Sequence, residues 1–359
     1  MKKNLLLFIS FLLILPLIGG SCLEIKIRTG KADGGVFKSV DKGETWEQKV
    51  FVRQIKKKKV ETIGYVNVYK LRFDPQNSQT VYLASREDGL YVTYNGGDKW
   101  YYLSPFKGRI DDVVVHPKSR NIIYLARGNK IYKTTNGGES WGNVYLESLP
   151  NRRINCLAID SYDPKKVYAG ISDGRLIRSV DAGESWEAIA NFKDNIAQIL
   201  INKNDTRIIY VATSSTGIYR TADRGNTWQN ITVNDKREDL REFHGIREFR
   251  AAVFDQTKFD SLVIATRYGL LRTDNGGKSW QAYKLLTLPG TILINSLAVN
   301  PKNNQEIYYI TNHTLFKTDD GGENWVTRAL PTSRIGCALL VNPEHPQILF
   351  LGVYKPKKK

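Results

Sequence analysis

Short apolar runs, rather than long ones, dominate the chain beyond its first residues, and they come in pairs. VVVHPKSRNIIYLA (113–126), LAIDSYDPKKVYAG (157–170), ILINKNDTRIIYVA (199–212) and LAVNPKNNQEIYYI (297–310) each join two apolar segments through a polar bend. The segments are four to six residues long and rich in Val, Ile and Tyr, and several bends carry His-Pro, Asp-Pro or Asn-Pro. That combination predicts antiparallel strand pairs, called A and B below. A third short segment follows each pair, as in GLYVTY, NKIYKT, GRLIRS, TGIYRT, YGLLRT and HTLFKT, and GGVFKS stands alone near the start. This is strand C, and a turn into a fourth strand, D, follows it.

The turn is the most regular feature of the sequence. SVDKGETW, TYNGGDKW, TTNGGESW, SVDAGESW, TADRGNTW, TDNGGKSW and TDDGGENW end at Trp46, Trp100, Trp141, Trp186, Trp228, Trp280 and Trp325, which are all seven tryptophans of the chain. They recur every 46.5 residues on average. Each unit obeys Ser/Thr-x-Asp/Asn-x-Gly-x-x-Trp. The Asp or Asn (Asp41, Asn95, Asn136, Asp181, Asp223, Asn275, Asp320) can accept backbone N–H bonds across a tight turn. The Gly supplies positive φ, and the Trp returns along strand D to pack its ring on neighbouring strands.

Four strands at a period in the forties predict a propeller blade, whose sheet cannot cover both faces alone and must stack in a ring. The chain starts with a C and D pair, GGVFKSVDKGETWEQK, and finishes with an A and B pair, CALLVNPEHPQILFLGV. The expected fold is therefore all-β, a single seven-bladed propeller with four antiparallel strands per blade. Its C-terminal A/B strands pair with the N-terminal C/D strands, so no edge is left open. Every Trp→Ala change is expected to cost about 3–5 kcal/mol if the ring is buried.

The units resemble the Asp-box, or bacterial neuraminidase repeat, propellers. Four match Ser/Thr-x-Asp-x-Gly-x-x-Trp in full, and three carry Asn95, Asn136 and Asn275 in the Asp place, where the side-chain carbonyl is kept. Among such propellers, a single exported ring of seven units looks most like the photosystem II stability and assembly factor family. That resemblance implies a binding and assembly protein, not an enzyme, with the Asp boxes structural and on the rim away from the working face. The same repeat occurs in sialidases, xyloglucanases and sorting receptors, so it speaks for fold more than for function.

The two ends and the charge add to this. MKKNLLLFISFLLILPLIGGS places a cationic start before an apolar run and small residues, which predicts an export signal at 1–21 and a propeller over 22–359. Cys22 follows Gly19-Gly20-Ser21 and is a lipidation candidate, with simple secretion as the alternative; the place three before it is Gly19 where a lipobox carries an aliphatic residue. Cys156 and Cys337 fall in distant repeats and are expected to be free, buried thiols. The chain has a net charge of +17, enough to steer anionic partners.

D-to-A and B-to-C connections share one face of a propeller, and two D-to-A connections here are long and basic. The first carries Arg53, Lys56, Lys57, Lys58 and Lys59, and the second Arg237, Arg241, Arg247 and Arg250. Arg109, Arg152 and Arg153 add to the same face. These residues are the candidate partner-binding set. The expected partner is an acidic or membrane-embedded protein, with an anionic membrane surface or envelope polymer as further possibilities; nucleic acid is not expected, and the protein is expected to be a monomer.

No cofactor or metal site is predicted. His116, His244, His313 and His345 show no ligand spacing, and the Gly-Gly pairs belong to the repeat turns. The runner-up function is a carbohydrate-active propeller, sialidase-like or xyloglucanase-like, which needs paired carboxylates. Its candidates are Asp111 with Asp112, Glu87 with Asp88, Asp173, and Glu238 with Asp239. Adjacent strand residues point to opposite faces, so Asp111 and Asp112 are expected to be structural. The chain also lacks the Arg-Ile-Pro segment of sialidases and the second propeller of xyloglucanases.

Overall fold

The computed structural model describes residues 32–56, 59–103, 105–233 and 240–357. The predicted export signal (1–21), Cys22, Lys57, Lys58, Arg237, Glu238 and Asp239 lie outside the described residues. Seven four-stranded antiparallel sheets follow one another along the chain. In blade 1 the strands run Val68–Asp74, Asn77–Ser85, Leu90–Thr93 and Trp100–Tyr102, from the innermost outwards. Blades 2 to 6 repeat the pattern from the innermost strands Asp112–His116, Ile154–Ile159, Ile196–Ile201, Phe249–Phe254 and Ser296–Asn300.

Blade 7 is shared between the two ends of the chain. Ile335–Val341 and Leu349–Tyr354 supply its inner half, and Gly35–Ser39 with Glu47–Lys49 its outer half. The join runs from Gly35↔Val353 to Ser39↔Leu349 in unbroken antiparallel register. The ring is thus closed within residues 32–357, with all strands of the seven blades and their core in this one unit.

The second strands explain the near-continuous apolar runs. Val167–Ile171, Ile209–Thr213 and Leu262–Thr266 are buried at every position, because a neighbouring blade covers each face. Tyrosines in these strands fasten blade to blade. Tyr124 donates to the Ala182 carbonyl at 2.7 Å, and Tyr210 to Asp260 at 2.5 Å. Tyr308 donates to Glu306 of its own strand at 2.5 Å, and that carboxylate takes Lys42 from the turn of blade 7 at 2.6 Å.

The seven turns share one hydrogen-bond pattern. In the turn after Ser179, the Ser179 hydroxyl donates to Asp181 at 2.7 Å and accepts the Gly183 amide at 2.7 Å. Asp181 in turn accepts the Ser185 amide at 2.9 Å. With Asn136 in place of Asp, the Thr134, Gly138 and Ser140 bonds are 2.8, 3.0 and 3.0 Å. Sequence reasoning singled out one glycine, but two successive positions are left-handed: Ala182 has φ 62° and Gly183 φ 94°. This accounts for Gly at the earlier place in four repeats and strains Lys42, Ala182 and Arg224 in the other three.

Candidate functional site

The turns and the A-to-B bends occupy one end of the ring, as the Ala182 amide shows by donating to the Lys165 carbonyl. The D-to-A and B-to-C connections occupy the other. There the innermost strands carry a recurring β-bulge, at Val68/Lys70, Ile154/Cys156, Ile196/Gln198, Phe249/Ala251 and Gly336/Ala338. Bulges re-aim side chains. The residues passed over in the register at these bulges are Tyr69, Asn155, Ala197, Arg250 and Cys337.

A cationic cleft on this face lies over blades 2 and 3. Its volume is about 440 Å³, and it is lined by Arg109, Arg127, Gly128, Asn129, Lys130, Tyr132 and Arg153. Four of its seven lining residues are cationic and none is acidic. Its floor is set by Asp111, which is buried. Arg153 grips both Asp111 oxygens at 2.8 Å, Arg109 approaches at 2.8 Å, and the Gly128 amide donates at 2.7 Å. Arg127 donates to the Lys107 carbonyl at 2.8 Å, so all three guanidiniums are held at one edge and face the cleft with the rest.

Arg109 also stacks on Tyr69, 4.2 Å from its ring centre. Arg86 lies over Tyr354 at 3.9 Å and near Tyr69 at 5.2 Å, which extends the arginine and tyrosine row towards blade 7. Arg152 belongs to a separate network next to the cleft. It pairs with Asp173 at 3.0 Å, and Arg175 joins Asp173 and Glu147 at 2.9 and 2.7 Å.

The adjacent acids turn opposite ways, as expected. While Asp111 serves the loop face, the buried Asp112 takes Arg72 and Lys70 at 3.1 Å each and accepts the Leu157 amide at 3.1 Å. Burial pushes the Asp112 carboxyl up, but Arg72 and Lys70 outweigh it and hold it below the usual carboxylate range.

The other predicted cations stand elsewhere around the ring. The first long connection folds into a β-hairpin, Phe51–Lys56 with Lys59–Thr62, a feature that reading it as a loop did not anticipate. Arg53 on it is exposed and pairs with Glu61 at 2.6 Å, and Lys56 is exposed. Arg241, Arg247 and Arg250 are exposed ahead of and within the innermost strand of blade 5. Among the described candidates, Arg109 and Arg153 share the cleft, with Arg152 beside it. Arg127 and Lys130 were missed by the sequence reading, although they flank a Gly-Asn turn, ARGNK, in a B-to-C connection that the fold assigns to this face.

A second groove, of about 710 Å³, lies between the hairpin and blade 1 and includes Glu61, Glu87, Asp88, Tyr91, Tyr101 and Tyr102 in its lining. Burial, and then the neighbouring Glu87, hold the Asp88 carboxyl above its ordinary range. Cys156 and Cys337 are both free, and burial pushes each thiol up to about 12.

The sortilin-Vps10 family profile (sortilin, neurotensin receptor 3) matches residues 174–265, well under half of the chain. No curated protein matches. Among solved structures, the Niastella koreensis GH74 enzyme superposes with a TM-score of 0.63 at 18% identity, over 86% of this chain and 53% of that one. YCF48 from Cyanidioschyzon merolae superposes at 0.60 and 12% identity, over 80% of this chain and 96% of that one. YCF48 bound to D1 peptide does so at 0.58 and 16%, over 81% and 94%. The chain spans about half the length of the GH74 enzyme and nearly all of YCF48. At these identities the likeness establishes the fold, a seven-bladed β-propeller of four antiparallel strands per blade.

Proposed function

We propose that this propeller is an exported, non-catalytic scaffold, resembling photosystem II assembly factors and their Asp-box repeats, that holds an acidic segment of a membrane protein against its loop face. The observation that carries this reading is the cleft lined by Arg109, Arg127, Arg153 and Lys130 with no acidic side chain in its lining. Guanidiniums fixed at one edge by Asp111 and by a carbonyl are preorganised to fork carboxylates of a partner. YCF48, a propeller of the same fold, has been solved with a bound peptide, which supports peptide capture as a task this fold can host. In this reading Cys22 anchors the monomer to the outer side of the cytoplasmic membrane, near such a partner.

The test is affinity capture from membrane extracts of the source organism, with the wild-type chain and an Arg127→Glu/Lys130→Glu variant. These two residues are chosen because neither touches Asp111. Reversing Arg109 and Arg153 would leave a buried carboxylate beside two new ones and unfold the site instead of probing it. Loss of one captured protein in the variant supports the reading, and unchanged capture overturns it.

A second reading, carbohydrate binding or hydrolysis, has one specific observation behind it: tyrosines and the Glu87/Asp88 pair share the 710 Å³ groove. Release of reducing sugar from β-glucans, abolished by Asp88→Asn, would establish it.

A further inference from the structure

We infer that the connection 283–295, between blades 5 and 6, is a finger that inserts into an anionic lipid surface. It exposes three leucines within eight residues, Leu286 at 59%, Leu288 at 76% and Leu293 at 49%. Lack of interior space does not explain this, since Leu285 and Ile292 of the same loop pack on the core between blades 5 and 6 and Ile294 is buried in it. The chain thus sorts its apolar residues into an anchored set and a presented set.

The presenting tip is closed by hydrogen bonds. The Thr291 amide and hydroxyl both reach the Leu288 carbonyl, at 3.3 and 2.6 Å, around Pro289 and Gly290. Gly290 has φ 77°, which fits a type II turn with Pro in its second and Gly in its third place. The loop is tied down at both sides, by the Gly290 amide to the Tyr268 carbonyl at 2.9 Å and by Trp325 Nε1 to the Lys284 carbonyl at 2.9 Å. A preformed turn loses little conformational freedom when its leucines enter another phase.

The surround selects the kind of surface. Tyr268 follows Arg267, which is exposed and pairs with Glu248 at 2.9 Å, and Arg247 next to Glu248 is exposed as well. An apolar tip with the exposed Arg247 and Arg267 on one side of it matches an anionic bilayer interface, with acyl chains below and phosphates above. An apolar protein groove would not need these arginines. The inference stands independently of the arginine cleft. It adds that the D-to-A face lies against the membrane, where a membrane-embedded partner would be met.

The test uses the closed ring, residues 32–359, because the apolar residues 5–18 would bind vesicles by themselves. Cosedimentation is measured with vesicles of phosphatidylcholine alone and with added phosphatidylglycerol, for wild type and Leu286→Ser/Leu288→Ser. A fluorophore on Leu288→Cys, in a ring whose other cysteines are Cys156 and Cys337, reports insertion through quenching by brominated acyl chains. The expected results are binding that needs phosphatidylglycerol, a serine variant about tenfold weaker, and quenching at position 288. Absence of binding, equal binding of both proteins, or an unquenched probe overturns the inference. Capture of a lipid-free protein through the same leucines would overturn it in favour of a protein groove.

Discussion

The seven tryptophans occupy equivalent places in the repeat, yet the structure predicts unequal losses when they are removed. Trp100 is completely buried among Val36, Leu71, Val81 and Phe350, and its indole donates across the blade boundary to the Lys49 carbonyl at 2.9 Å. Trp280 and Trp325 are likewise buried and donate to the carbonyls of Ile231 and Lys284, each just after the D strand of the preceding blade. Trp186 is only partly buried against Tyr145, 5.7 Å between ring centres, and its indole N–H finds no acceptor. Trp100→Ala should cost about 3–5 kcal/mol for the cavity plus about 1 kcal/mol for the lost bond. Trp186→Ala keeps no hydrogen bond to lose and leaves a shallower gap that water can fill, so about half of the cavity cost, near 2 kcal/mol, is expected. Urea unfolding of the ring, followed by far-UV circular dichroism, gives the midpoints of both variants beside wild type. A drop for Trp100→Ala about twice that for Trp186→Ala supports the reasoning. Equal drops, or a larger one for Trp186→Ala, would refute it and restore the uniform cost that the repeat alone suggests.

Other consequences follow from single sites. Ala182→Gly relieves a left-handed non-glycine residue and should raise stability by about 0.5–1 kcal/mol, read as a higher urea midpoint. The hydroxyl and amide of Thr45 hold Asp41 down to about 2, the Asn324 amide holds Asp320 down to about 2, and Asp181 and Asp223 are lowered by the same turn bonds. Depressed carboxylates stabilise fully above their unfolded value near pH 4, and that stability is lost as pH falls through about 2. Replacing all four by Asn, as Asn95, Asn136 and Asn275 already stand, should flatten the melting temperature between pH 5 and 2.5; an unchanged acid limb would contradict this. Arg109→Met/Arg153→Met leaves buried Asp111 with the Gly128 amide alone and should destabilise by about 3 kcal/mol, at the low end for a broken buried pair because both arginines are partly exposed. Adding Asp111→Asn should recover most of that loss.

The fold was legible because its signals are local and repeated. Seven Trp-marked turns and the apolar runs give blade number and strand order, and the half-blade offset at the two ends gives the seam from Gly35 to Val353. The opposite facing of Asp111 and Asp112 followed from strand alternation. What escaped was set by side-chain pairing and by backbone conformation. Arg109, Arg152 and Arg153 read as cations of the loop face, whereas Arg109 pairs with Asp111 two residues on, Arg153 with the same Asp111 from the next blade, and Arg152 with Asp173. Arg127 and Lys130 flank a two-residue hairpin turn with no excess length or charge run to mark it. The left-handed residue before the fixed glycine was hidden for a similar reason, since Lys42, Ala182 and Arg224 give no sign of strain as letters.

The central claim is that the cleft of blades 2 and 3 captures acidic segments through cations that its own carboxylate leaves available. Fluorescence anisotropy of a labelled peptide rich in Asp and Glu, titrated with the ring at several salt concentrations, measures this directly. Saturable binding that weakens with salt, and falls about tenfold or more in Arg127→Glu/Lys130→Glu while Arg53→Glu leaves it unchanged, is the predicted result. Equal loss from either substitution would show that net charge, and not this cleft, attracts the peptide.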